Sequence, residues 1–249
     1  MEPLDQYYMN VCTILDEILT EEDSIERAAE LVADQAASGK VIFVGTGGAH
    51  GCMGIEELFY RAGGLACISP MLDGGVYLLY GAVRSTMMER LPEYGSMVVE
   101  IYGVGKDDLV IIGAPVGITA MCIDTALAAK EKGAVVIGIA TTAFAEQTPK
   151  GHPSRHPSNL SLDEVSDVFV HCHVPFGDAA VEIEGITNKV GPVSTIALAF
   201  TENLIIARAI EMLVERGIEP PIWQSANTPG GDQANANHIT QYQSRVRHL

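Results

Sequence analysis

Positive charge is what this chain has least of. Its 249 residues carry 15 lysines and arginines against 32 aspartates and glutamates, a formal net charge of −17. Nucleic acid and anionic lipid are repelled by such a chain, so neither is expected as a partner. An anionic small molecule would need local help from loop amides and a few basic side chains. Long apolar runs are missing too. The longest, 109–117 and 134–143, fall far short of the roughly 20 residues that span a bilayer. Glu2, Asp5, Asp16 and Glu17 stand where a secretory leader needs basic and then apolar residues, so no leader is expected there. Cysteine is sparse and unpaired: positions 12, 52, 67, 122 and 172 form no C-x-x-C spacing, which predicts reduced thiols in a cytoplasmic protein. Of these, Cys52 stands where a helix N-terminus could lower its pKa. Internal repeats and a basic helix-turn-helix segment are absent as well, which argues against direct transcriptional regulation.

What is present is apolar and regularly punctuated. Hydrophobic residues make up 47% of the chain, enough for the core of one large α/β domain. Leu4, Val11, Ile14, Leu15 and Ile18 mark a first amphipathic helix, and Ser24, Ile25, Ala28, Ala29, Leu31 and Val32 a second. Short β-rich runs follow at 41–45, 65–68, 109–113, 135–140 and 167–174, separated by helical patterns near 53–62, 76–90 and 118–132. Near-continuous apolar strands alternating with helices predict a parallel sheet covered on both faces. A long apolar helix is expected over 193–216, then a polar tail rich in Asn and Gln, either a surface arm or a cover for a neighbouring subunit's site. The expected division is therefore N-terminal helices over 1–38, a core over 39–216 and a tail over 217–249.

The most informative segment is Val41-Ile42-Phe43-Val44-Gly45-Thr46-Gly47-Gly48-Ala49-His50-Gly51. A buried strand opening into such a loop presents backbone N–H groups, and the helix that follows adds its positive end. The spacing fits the dinucleotide fingerprint poorly, since the third glycine is misplaced and no acid ends the next strand. A small oxygen-rich ligand is the expectation, held by Gly45, Thr46, Gly47 and Gly48. Glu56 and Glu57 follow on the helix, and one of an adjacent pair can face the ligand as a proton shuttle while the other faces water. The bland alternative is a solvated helix face.

Further candidates sit at predicted strand ends. The loop His152-Pro153-Ser154-Arg155-His156-Pro157 holds two histidines and an arginine rigidly. His156 or His50 could assist ring opening, and Ser154 could bind the ligand; Arg155 and Lys189 could neutralise an anion. His171 and His173 share one face at the end of a strand and, with His50 or Asp178, could hold zinc. Hydrogen-bonded structural histidines are the competing reading, and no cofactor is otherwise implied.

The order of elements and the motifs resemble the sugar isomerase (SIS) domain family, in its phosphoheptose-isomerase-like branch. The likeness rests on Val44-Gly45-Thr46-Gly47 with Glu56 through Gly64, Pro153-Ser154-Arg155-His156, Gly177-Asp178-Ala179, Gly191-Pro192-Val193-Ser194-Thr195 and Ser225-Ala226-Asn227. It implies a three-layer α/β/α sandwich with a five-stranded parallel, flavodoxin-like sheet behind a helical N-terminal extension. It also implies homodimers or homotetramers with composite sites, and a sugar or sugar phosphate as ligand. Some members interconvert aldoses and ketoses through an enediol; others only sense the sugar, and a zinc-dependent isomerase or lyase is a third possibility. Residue by residue the likeness carries over to Glu57, His156, Asp178 and Ser194.

It breaks at the turn after the third strand. The family's phosphate seat there is rich in serine and threonine, whereas this chain has Gly113-Ala114-Pro115-Val116-Gly117. A phosphate would keep only backbone amides such as that of Gly117, with Thr119. Two charge-assisted hydrogen bonds left unmade weaken binding by roughly 3 kcal/mol or more. The expected substrate is then unphosphorylated, or carries its anion nearer Arg155.

Overall fold

The computed structural model describes residues 1–249. Two helices lead in, as their patterns predict. α1 (Pro3–Leu19) starts on a proline, whose missing N–H costs nothing at that position, and buries Ile14 and Ile18 one turn apart. α2 (Glu22–Ala37) buries Ile25, Ala28, Ala29, Val32 and Ala33, the spacing of one helical face.

The chain then winds through β1 (Ile42–Thr46), α3 (Gly51–Leu58), β2 (Ile68–Pro70), α4 (Ala82–Glu89), α5 (Tyr94–Tyr102), β3 (Leu109–Gly113), α6 (Ala120–Glu131), β4 (Val135–Ala140), α7 (Ala143–Gln147), α8 (Leu162–Val165) and β5 (Val168–His171). These five strands form one all-parallel sheet in the order β2-β1-β3-β4-β5. Its centre is apolar on both faces: Val44, Ile111 and Ile137 lie side by side in register on one and Phe43, Val110 and Val136 on the other, all buried. α2, α3 and the long α9 (Ser194–Glu215) cover one face, and α5 and α6 the other, giving three layers. Between β5 and α9 an antiparallel hairpin of β6 (Ala179–Val181) and β7 (Val190–Pro192) lies against α1, which donates from the Tyr7 hydroxyl to the Pro192 carbonyl at 3.0 Å.

Three expectations shift. The helix predicted over 76–90 divides into a 3-10 turn (Leu78–Tyr80) and α4, because Gly81 takes φ 116 between them. The helix after the glycine loop ends at Leu58 rather than 62, since Tyr60 adopts φ 56. The polar tail, expected as a surface arm or a cover for a neighbouring site, folds in part onto its own chain. Ala66 donates to the Pro221 carbonyl, Trp223 donates to Gly64, and Trp223, Tyr242 and Val246 are buried with α10 (Gly231–Tyr242) against the chain's own body. Asn235 explains part of the amide richness: its side chain both donates to and accepts from the Gln224 backbone at 2.9 Å, as a paired strand would.

The strand order reverses at β1. The chain leaves it for β2 on one side and later reaches β3 on the other, so the loops after β1 and β3 part and open a crevice at the strands' C-terminal ends. Open α/β sheets bind ligands at this place.

Candidate functional site

A cavity of about 600 Å³ fills that crevice. Its floor is the glycine loop after β1 and the turn after β3, joined by Thr119, whose hydroxyl donates to the Gly47 carbonyl at 2.6 Å. Glycine is required at 47, where a Cβ would stand 2.6 Å from that of Ala114. Thr46 shapes the loop from behind, accepting from the Gly48 N–H at 3.1 Å and donating to the Gly48 carbonyl at 2.7 Å. Gly45 lies wholly within β1, tight against Met71. Of the loop residues expected to hold the ligand, Gly47 and Gly48 therefore line the cavity, with His50 beside them, whereas Gly45 and Thr46 support it.

The turn after β3 keeps more than its composition suggests. The N–H groups of Val116, Gly117, Ile118 and Thr119 find no acceptor within the chain, and Val116, Gly117 and Thr119 line the cavity. Consecutive free amides ahead of a helix N-terminus, here that of α6, make an anion-binding concavity without hydroxyls.

Asp178 and Ser194 also reach the cavity, but they satisfy each other. Asp178, held at φ 66, accepts from the Val193 and Ser194 N–H groups at 3.0 and 2.7 Å and from the Ser194 hydroxyl at 2.9 Å. It caps α9, a carboxylate at the positive end of a long helix. Across the cavity, the loop after α7 contributes Thr148, His152 and Ser154, with the His152 ring hydrogen-bonded to the Ser154 hydroxyl at 2.7 Å.

Other expected residues stand elsewhere. Arg155 is a buried spoke rather than an anion ligand: its guanidinium donates to the carbonyls of Thr148, Ala145 and Asn159 and so shapes the 145–159 loop. Its neighbour His156 turns to Asp124 (3.0 Å) and Ser158, behind the turn after β3. Burial raises the Asp124 carboxyl above its usual range, against the pull of His156. Lys189 pairs with Glu182 on the exposed hairpin. Glu56 faces solvent, and Glu57 lies toward α9, paired with Arg61 at 3.3 Å and accepting from Asn203 at 3.2 Å; neither lines the cavity. His171 and His173 do come together, but with Glu21 rather than His50 or Asp178. Burial lowers the His171 pKa, with His173 adding to the effect. The thiol of Cys52 is inert rather than activated, because burial first and Glu56 second push its pKa up to about 12.

The cavity's own carboxylate is one that the sequence reading passed over. Glu89 ends α4, and with Ala82 and Thr86 it shows the cavity a single helix face. The carboxyl lies directly over Gly48, in the space a side chain there would take. Burial raises its pKa, opposed by Arg90 and by the Ala49 N–H. Arg90 is the one lysine or arginine lining the cavity. A signal did exist: an acid in the last turn of a helix opposes the macrodipole and is not there for the helix's sake.

The sequence matches the SIS domain model over residues 6–141. The chain belongs to the SIS domain family. It is similar along its whole length to UPF0309 proteins, with 34% identity to one from Geobacillus thermodenitrificans over 98% of this chain and 96% of that one. One from Brucella anthropi is 37% identical over 91% of this chain and 90% of its own. A solved Listeria monocytogenes structure, of a candidate sugar-phosphate isomerase, aligns more loosely. Its TM-score is 0.43 at 13% identity, over 95% of this SIS-domain chain and 94% of the other.

Proposed function

We propose that this SIS-domain protein is a cytoplasmic aldose–ketose isomerase acting on a small sugar or sugar phosphate, with Glu89 as its proton shuttle. The observation that carries the reading is Glu89 itself, a carboxyl held by burial above its ordinary range and lying directly over the glycine loop at Gly48. A base tuned upward suits abstraction of a weakly acidic C–H. Glu89 takes the proton from the carbon next to the carbonyl, the C–H electron pair becomes the enediol double bond, and the carbonyl oxygen takes a proton from His50 or His152. Return of the proton to the neighbouring carbon, with loss of one from the second hydroxyl, completes the exchange with no net gain or loss of atoms or electrons. The amides of 116–119 and Arg90 suit an anionic tail on the same sugar. That seat supports a phosphorylated substrate in spite of the turn's missing hydroxyls.

The test is a panel of free and phosphorylated aldoses in deuterated water, followed for exchange at C2. The expected result is exchange with at least one sugar, and its loss in Glu89→Gln while ligand-induced thermal shifts persist. Thermal shifts without exchange in the native protein would make it a non-catalytic sugar sensor. Exchange undiminished in Glu89→Gln would move the base elsewhere.

A further inference from the structure

Away from the cavity, the end of β5 meets the junction of α1 and α2. One ring nitrogen each of His171 and His173 and a carboxylate oxygen of Glu21 lie within 4.8 Å of one another. All three residues are partly exposed, so an ion could enter. We propose that Glu21, His171 and His173 form a binding site for a divalent cation of the zinc class.

The backbone is bent to make this cluster. Residues two apart on a strand ordinarily stand about 6.6 Å apart along it. His173 instead adopts φ 51, a left-handed conformation unusual outside glycine, and the two ring centroids approach to 4.1 Å. Conformations of this cost persist where something depends on them. Two imidazoles and one carboxylate are a donor set that zinc uses when it keeps a position open, and its ligand atoms then sit roughly 3.4 Å apart on a tetrahedron with bonds near 2.1 Å. His173 Nε2 and Glu21 Oε1 are already 2.9 Å apart, near that spacing.

A second carboxylate stands in the right place behind it. Glu17 Oε2 lies 3.7 Å from His173 Nδ1, while Nε2 faces Glu21. Drawn in to hydrogen-bond distance, that carboxylate accepts from the Nδ1–H and leaves the Nε2 lone pair for the metal, the usual outer support of a histidine ligand. His171 must exchange one partner on binding, either Thr142 at Nε2 or the His173 N–H at Nδ1. The ion would fasten the N-terminal helices to the edge of the sheet. None of the three ligands lines the cavity, so the site stands or falls independently of the isomerase reading.

The full-length protein, freed of metal by chelator dialysis, is titrated with Zn²⁺ and separately with Co²⁺. The expected result is one equivalent of zinc by elemental analysis, a raised Tm, and visible Co²⁺ bands of tetrahedral intensity. His173→Gln and His171→Asn, which keep hydrogen-bonding capacity, should each weaken binding at least tenfold, and Glu21→Gln likewise. His152→Ala, in the cavity, should leave it intact. Failure to bind Zn²⁺ at tens of micromolar would overturn the proposal. So would binding that survives both histidine substitutions, or binding lost on His152→Ala alone.

Discussion

Glu202 and Gly54 share one space: a side chain on Gly54 would begin 2.7 Å from the Glu202 Oε1 atom. Glycine at 54 lets α3 approach α9 closely enough to enclose that carboxyl, and neither of its oxygens has a hydrogen-bond partner. Burial first, and Glu57 second, raise its pKa well above the usual 4.5. A carboxyl with a raised folded pKa is buried neutral, so its stability is intact below about pH 4.5 and is lost as pH rises through the folded value. Glu202→Gln should therefore raise Tm at pH 8 more than at pH 5. Equal shifts at both pH values, measured by scanning calorimetry, would refute an ionising Glu202. Gly54→Ala should destabilise by about 1–3 kcal/mol, the usual cost of overpacking.

Arg155 offers a test of spoke against ligand. Three carbonyls depend on its fork, and a lysine can reach only one of them. Leaving two part-buried carbonyls without that donor costs about 1–3 kcal/mol, so Arg155→Lys should lower the urea midpoint. If Arg155 served an anion instead, the same substitution would leave the midpoint in place and weaken only ligand binding.

The fold was legible where its signals are local. β3 and β4 occupy 109–113 and 135–140 as predicted, because each is a short apolar run whose pairing needs no help from distant turns. The strand expected at 65–68 is displaced to Ile68–Pro70 because Leu65 and Ala66 bond instead to residues 221–222 of the tail, a partnership no local pattern announces. The site divides the same way. His50, Gly117, Thr119, Ser154, Asp178 and Ser194 reach the cavity because they lie in segments that follow strand ends. Glu89 and Arg90 arrive from the β2–β3 crossover, and only the folded chain sets them beside Gly48, some forty residues away. Glu56 and Glu57 show the reverse: proximity in sequence to the glycine loop does not bring them into the cavity's lining.

Asp178 should act through α9. Its carboxylate satisfies two N–H groups at the helix start, and removing such a cap costs about 1–2 kcal/mol. Asp178→Ala should show that loss in chemical denaturation. Asp178→Asn keeps an acceptor oxygen and should cost less than half as much. If both variants kept full stability, the cap would be unimportant and Asp178 would be freed for a direct role toward the ligand.

Glu89 and Arg90 carry opposing effects that can be separated by titration. Burial raises the Glu89 pKa and the neighbouring guanidinium lowers it, so Arg90→Gln removes a lowering influence and should move the Glu89 inflection still higher. The side-chain carboxyl resonance of Glu89, followed by carbon NMR against pH, reads this without any substrate. Where a sugar supports deuterium exchange, the rate should rise with pH through the same inflection, because only ionised Glu89 accepts the proton. Arg90→Gln should then shift the rate profile and the resonance upward together. A resonance that moved while the rate profile stayed fixed would leave Glu89 as a structural acid over the glycine loop and deny it the proton transfer.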